Sequence, residues 1–227
     1  MFGNESHAVP VEAWGLDELI TARVAVALGQ RYQVKRINVP KGVFTAYETP
    51  GGLFRDRDAE LRDAVRKAAA GHPSDLYVVV TKGYSSFGTS NQGALGLGLV
   101  VAGSALVDSS YLHALSTVRL YNGKTFEVLG WQHASMGQPT FMMTIKGPHK
   151  QVDSSWWPSG QPASDARLKD ATRKLVEQSI TMTIPSLMKA AGEEIKAGSR
   201  NAAALAPATP PPNRRSGKDT SGSVADR

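Results

Sequence analysis

The sequence contains no cysteine, and this absence removes several kinds of chemistry at once. Disulfide bridges, thiolate nucleophiles and cysteine-ligated zinc sites are all excluded, as is a lipid-modified N-terminal cysteine. Aromatic residues make up only 7% of the chain. With 41% hydrophobic residues, however, the 227-residue chain can build a core. Its length predicts one domain, with or without appendages.

Long apolar runs are also missing. The longest apolar-rich stretch, residues 95–107, is interrupted by glycines and is shorter than the roughly 20 residues of a membrane-spanning helix. Residues 1–6 have neither the basic start nor the apolar centre of an export signal. Localisation is therefore open between a periplasmic or envelope-associated protein, if the true start lies upstream, and a cytoplasmic one.

The formal net charge of +6 is unevenly distributed. Beyond Gly198, five basic and two acidic residues give +3. Residues 198–227 are rich in proline, serine and arginine and have no aromatic residue, so they are predicted to form a disordered tail. Residues 1–197 are predicted to form a single domain. Their mild basicity is typical of a solvated surface and disfavours a nucleic-acid interface.

The apolar run Asp75–Lys82 organises the predicted fold. It is rich in β-branched residues and does not alternate with polar ones, so it is predicted to be a central strand covered on both faces. A helix that ends at Gly29, a strand over Tyr32–Val39 and a second helix precede it. The helix–strand–helix–strand order favours a parallel strand pair with a right-handed crossover. Within Tyr32–Val39 the alternation slips near Lys35-Arg36, which predicts a bulge.

The second half of the domain predicts a β-hairpin and a closing helix. The hairpin comprises His113–Tyr121 and Thr125–His133, with a three-residue turn at 121–123 that sets Val118 opposite Phe126. The helix begins near Ser164-Asp165 and breaks or kinks at Pro185. The predicted fold class is α/β or α+β, with a mixed sheet, a C-terminal β-hairpin extension and a closing helix, followed by the tail.

Two segments carry a resemblance to a known group of proteins. Asp75 to Gly83 and Val118 to Leu129 resemble bacterial cell-envelope α/β domains, namely the TolB N-terminal domain and the CsgG-like secretion lipoproteins. The resemblance covers about half of the chain. It implies a role in binding or assembly at the cell envelope, without catalysis.

The segment between Gly83 and Ser110 is the predicted seat of function. Its strand places leucines on one face and Gly96 and Gly98 on the other, and such a bare face is typical of a bulge or of close approach by a partner. Gly96-Leu97-Gly98 begins a dinucleotide-binding motif but lacks its third glycine. The preceding loop offers Tyr84, Ser85 and Phe87 as binding residues. Its serine also raises the alternative of a nucleophile elbow.

The remaining candidates have ordinary structural explanations. Trp156 and Trp157 could stack on a ligand, or could cap the core. Asp56, Asp58 and Glu60 lie at a helix start, where capping is the default role of carboxylates. His113 and His133 are predicted cross-strand neighbours and make a weak metal signal. No catalytic residue, metal ligand or cofactor is predicted.

These observations predict a non-enzymatic binding or assembly protein associated with the bacterial cell envelope. A protein partner or self-association is expected, and membrane contact is left open. The first alternative is a small serine hydrolase that uses the loop after the central strand. The second is a nucleic-acid-associated protein that acts through its basic tail.

Overall fold

The structure, a computed structural model, describes residues 10–40, 42–48, 55–87, 93–103, 108–135, 145–153, 156 and 165–204. Helices and strands are mixed in these residues, which confirms the predicted mixed α/β class. After a short 3-10 helix at Glu12–Trp14, the helices are α1 Leu16–Leu28, α2 Thr45–Glu48, α3 Arg57–Ala69 and α4 Ala166–Ala204. The strands are β1 Leu76–Lys82, β2 Tyr84–Ser86, β3 Gly93–Leu95, β4 Leu97–Gly103, β5 Asp108–Ala114, β6 Ser116–Asn122, β7 Val128–His133 and β8 His149–Val152.

The described strands form three antiparallel sheets, in the orders β1-β6-β7, β2-β3 and β4-β5-β8. In the first sheet the middle strand is β6, so the prediction that β1 is central is wrong. The apolar run of β1 misled because helices cover this strand on both faces although it lies at an edge. The middle strand β6 has polar residues between its buried ones, and it read as half of a surface hairpin.

Both faces of β1 pack on apolar clusters, as predicted, although Tyr77 is its one fully buried residue. On one face, Leu76, Val78 and Val80 pack against the α4-side core, whose buried members are Val24, Leu28, Val118, Leu120, Ile180 and Leu187. On the other face, Tyr77 and Val79 belong to the α3-side core, with Leu61, Val65, Ala69 and Tyr121. Side chains therefore alternate along β1 between a layer of α1 and α4 and a layer of α3.

The predicted strand over Tyr32–Val39 does not form, and all strand pairs in the described residues are antiparallel. The predicted parallel pair with β1 is therefore wrong. The predicted C-terminal end of α1 is confirmed, because the helix ends at Leu28, just before Gly29. Asp56 caps α3, since its Oδ1 accepts hydrogen bonds from the N–H groups of Asp58 and Ala59.

The predicted register of the hairpin is also wrong. Val118 lies opposite Gln132, and Phe126 lies in the turn with a left-handed φ of 59°. Glycine at position 123 is required by close packing, because a Cβ there would lie 1.8 Å from the carbonyl oxygen of Ser74. Two contacts fix the conformation of the turn: the close approach of the loop before β1 at Ser74, and the stacking of Phe126 on Tyr77 with ring centres 5.4 Å apart.

Helix α4 is 39 residues long and continues through Pro185. It includes residues 198–204, which the composition placed in the tail, and residues 205–227 lie outside the described part of the chain. In the regions that the structure describes, no helix combines the length and the apolar character needed to cross a membrane.

Three backbone hydrogen bonds form a closed ring where the sheets meet. Gly83 N–H donates to Leu115 O at 2.9 Å, Leu115 N–H to Gly96 O at 2.7 Å, and Gly96 N–H to Gly83 O at 2.8 Å. We call this ring the junction. Each of its residues separates two strands, β1 from β2, β3 from β4 and β5 from β6. The three chain segments β1-β2, β3-β4 and β5-β6 therefore each change pairing partner at the junction.

Candidate functional site

The candidates on β2 and its end, Tyr84, Ser85 and Phe87, all contact other parts of the protein. Ser85 is buried, donates its hydroxyl to Ser86 O at 2.9 Å and accepts a hydrogen bond from Lys146 N–H at 2.8 Å. Within the described residues it bonds to no histidine nitrogen. Phe87 is buried in an apolar cluster with Ile145. Tyr84 is 64% exposed, and its ring covers Gly93.

The predicted Gly96, Gly98 and Trp156 come together around one cavity of about 720 Å³. It lies between β4, the start of α1 and α4, and we call it the β4 cavity. Trp156 packs at its wall, with the Nζ of Lys150 and the Cζ of Arg167 at 5.4 and 5.7 Å from its ring centre. Trp157 lies outside the described residues.

The bare side of Gly98 is filled from within the protein. A Cβ at Gly98 would lie 2.9 Å from Cε1 of His113, which is its neighbour on β5. His113 is 2% exposed, and neither ring nitrogen makes a hydrogen bond of normal geometry within the described residues. Burial lowers its pKa to about 4, outweighing the backbone of Leu95 and Tyr111, which favours the protonated ring.

The predicted pair of His113 and His133 is not formed. His113 lies opposite His149 in the sheet of β4, β5 and β8. His133 lies in the sheet of β1, β6 and β7, and its Nδ1 is 2.6 Å from Thr117 Oγ1. The carboxylate of Glu60 binds Arg55, which lowers the pKa of that carboxyl. In the part of the chain that the structure describes, no three acidic or histidine side chains lie close enough together to hold a metal ion.

A second cavity runs along the outer edge of β1. It has a volume of about 730 Å³ and lies between β1 and residues 33–39, with α1 and α3 at its sides. We call it the edge slot. No strand of the described residues pairs with β1 on this side. The backbone N–H and C=O groups that β1 turns outward are therefore available to form a further ladder of hydrogen bonds.

The chain across the slot has the predicted phase slip, although it is not a strand. Tyr32 and Val34 pack on the α4-side core, and Ile37 packs on the α3-side core. Between them, Arg36 turns to α1, with Nη1 2.9 Å from Glu18 Oε1 and Nη2 3.4 Å from Asp17 Oδ2. The hydrogen bond to Arg36 holds the pKa of the Glu18 carboxyl below its usual range. Arg36 therefore fastens this segment to α1 and not to β1.

Sequence reasoning missed the edge slot because it expected β1 to be paired on both sides. The only signal was the slip at Lys35-Arg36, which marks a segment unable to pair regularly along its whole length. Comparison of the chain with protein-family models, curated proteins and solved structures found no match. The resemblance to envelope α/β domains therefore stays a prediction.

Proposed function

We propose that this protein is a non-enzymatic binding protein that takes up an extended segment of a partner protein along the free edge of β1. The single observation that supports this most strongly is the edge slot beside the outer edge of β1, where no described strand pairs with it. An extended peptide can add to such an edge through main-chain hydrogen bonds, while its side chains provide specificity. Assembly at a bacterial cell envelope, which the resemblance implies, is the setting we propose for it.

Apolar walls on both sides of the slot suit a strand with alternating apolar side chains. Val24, Leu28 and Leu187 of the α4-side core and Val65 and Ala69 of the α3-side core all line the slot. Successive side chains of a bound strand point to opposite faces of the sheet. They would therefore extend both cores at once, and apolar burial would contribute roughly 25 cal/mol per Å² in addition to the main-chain bonds.

The protein's own segment 33–39 is a poor occupant of the slot. Its phase slip prevents one regular register along β1, since a shift of one residue reverses every side chain. The ion pairs of Arg36 hold it on α1 as well. These two features support a partner's strand over closure by this segment.

The test uses a capped synthetic peptide of alternating valine and threonine residues with a lysine at each end. We expect hydrogen exchange in the free protein to be faster at outward-pointing amides of β1 than at those of β6, and to slow when the peptide binds. If the outward β1 amides are already as protected as those of β6 in the free protein, the edge is closed by the chain itself and the proposal fails.

Val78→Pro and Val79→Pro provide a matched pair of variants. Neighbouring residues of a strand direct their N–H groups to opposite sides, so one variant breaks the ladder with β6 and the other removes only an outward donor. Gly83 N–H donates to Leu115 O in line with the β1-β6 register, so Val79 turns its N–H to β6 and Val78 turns its N–H outward. Val78→Pro should therefore fold and should lose peptide binding. Unchanged affinity in the folded proline variant would show that the peptide binds elsewhere.

A further inference from the structure

The β4 cavity has the properties of a second ligand site, in addition to the edge slot. Its volume of about 720 Å³ falls within the roughly 300–1,000 Å³ of small-molecule sites. Its apolar wall includes Trp14, Leu97, Leu99, Ala114, Trp156 and Val176. Hydroxyl groups in the wall come from α4 and from the neighbouring strands.

One of these hydroxyls is left without a partner. Thr172 is 1% exposed, and its Oγ1 has no hydrogen-bond partner within the described residues. Elsewhere on α4, Thr181 satisfies its hydroxyl by donating to Glu177 O at 2.9 Å. A buried hydroxyl without a partner is costly, and a group in the cavity would satisfy it.

The spacing along α4 sets the length of the molecule that fits. Thr172 and Ser179, both in the cavity wall, are seven residues apart, which is two helical turns or about 10 Å. Ser179 is already satisfied, because its hydroxyl lies 2.7 Å from that of Ser116. Val176 lies between them. The polar requirement is therefore at the Thr172 end, with an apolar stretch beyond it.

The charges in the wall argue against an ionic ligand. The charged side chains among the lining residues are Asp17, Glu48 and Lys82. Lys82 Nζ lies 2.9 Å from Glu48 Oε2, and Asp17 is paired with Arg36. An ion in the cavity would have to give up its hydration without gaining a free counter-charge from these residues.

We propose that the β4 cavity binds a neutral amphiphile, with a hydrocarbon body about 10 Å long and one hydroxyl, ester or amide group that hydrogen-bonds Thr172. The hydrocarbon body fills the apolar space between α4 and β4. The β4 cavity and the edge slot share Asp17, Ile20, Phe44 and Val80 in their walls, but the two proposals are tested with different probes and variants, so either can fail without the other.

The probe is 1-octanol, with n-octane as its apolar match, and the readout is the fluorescence of Trp14 and Trp156, which both line the cavity. We expect saturable binding of 1-octanol with a change in tryptophan emission. Thr172→Val keeps the shape of the side chain and removes its hydroxyl. It should lower the affinity for 1-octanol by up to about tenfold and leave the affinity for n-octane unchanged. Ala114→Leu should abolish binding of both probes by filling the cavity.

Thr183→Val is the control for a merely structural effect. Thr183 is buried on α4, does not line the cavity, and donates its hydroxyl to Ile180 O at 2.7 Å. Its replacement should lower the melting temperature without changing the affinity for 1-octanol. Failure of 1-octanol to bind the natural protein, or equal affinity in Thr172→Val, would overturn the proposal and leave an ordered water as the partner of Thr172.

Discussion

In the described residues, five buried side-chain nitrogen or oxygen atoms have no hydrogen-bond partner; one is Arg62 Nε on α3, and the other four lie around the sheet of β4, β5 and β8. Ser110 Oγ, both ring nitrogens of His113 and Thr172 Oγ1 are buried without hydrogen-bond partners in the described residues. Native proteins satisfy most such groups, so each exception calls for an explanation. For Thr172 we have proposed a ligand. For His113 the consequence is a dependence of stability on pH.

The stability of the fold should fall as the pH is lowered from 6.5 to about 4. Burial lowers the pKa of His113 from 6.5 to about 4 in the folded protein. Protonation in this window therefore favours the unfolded chain, and stability is fully present only above the unfolded pKa. The expected loss is roughly 3 kcal/mol by pH 4, measured by denaturant unfolding at a series of pH values.

His113→Leu should flatten much of this dependence, whereas His72→Gln, at an exposed position, should leave it intact. Burial also lowers the pKa of His133, so His133 contributes in the same direction. Equal pH slopes for natural protein and His113→Leu would show that His113 is not buried in the neutral form.

Among the elements, β6 holds the centre of the first sheet. Thr117, Val118, Leu120 and Tyr121 on this strand are all buried, whereas on β1 only Tyr77 is. The reason is topological, because β6 has a strand on each side and β1 has only one. The apolar composition of a strand indicates how well its two faces are covered, but it does not indicate how many other strands pair with it.

Leu120→Ala should therefore cost more stability than Val79→Ala. Leu120 is 1% exposed, and its truncation should cost roughly 2–5 kcal/mol. Val79 is half-buried at the edge and loses a smaller side chain, so we expect roughly 1 kcal/mol or less. Urea unfolding of both variants measures the difference, and a larger loss at Val79 would restore β1 as the central strand.

Local patterns predicted the helices better than they predicted strand pairing. The spacing of α1 and its stop at Gly29 depend on neighbouring residues, and so does the cap at Asp56. The hairpin register depends on Ser74, which approaches Gly123 from a distant part of the chain. The cavity wall was partly predicted through Gly96, Gly98 and Trp156, but Thr172 looked like any other helical threonine.

For the whole molecule, α4 is the element that joins the sheets. Leu168 and Leu175 belong to an apolar cluster with Leu112 of β5, and Ile180 and Leu187 belong to the α4-side core. One helix therefore packs against both three-stranded sheets, with Pro185 at its midpoint. The segment after Pro185 is needed to complete the α4-side core.

Truncation should separate the packed part of α4 from the chain that follows it. A chain that ends at Ala204 should melt at the natural temperature, because the composition of residues 205–227 provides almost no apolar surface to bury. A chain that ends at Ile184 loses buried Leu187 and should be destabilised by at least roughly 2–5 kcal/mol. Calorimetry of both chains checks this, and equal melting temperatures would contradict the packing of Leu187.

The junction has a consequence for the alignment of the strands. Each of its three residues gives one N–H and one C=O to the ring. If any one strand slid by a residue, two of the three bonds would be lost together. The backbones also pack closely at Gly83, since a Cβ there would lie 2.9 Å from the backbone of Ser116. The ring therefore fixes the register of all three chain segments relative to one another at the point where they change pairing partners.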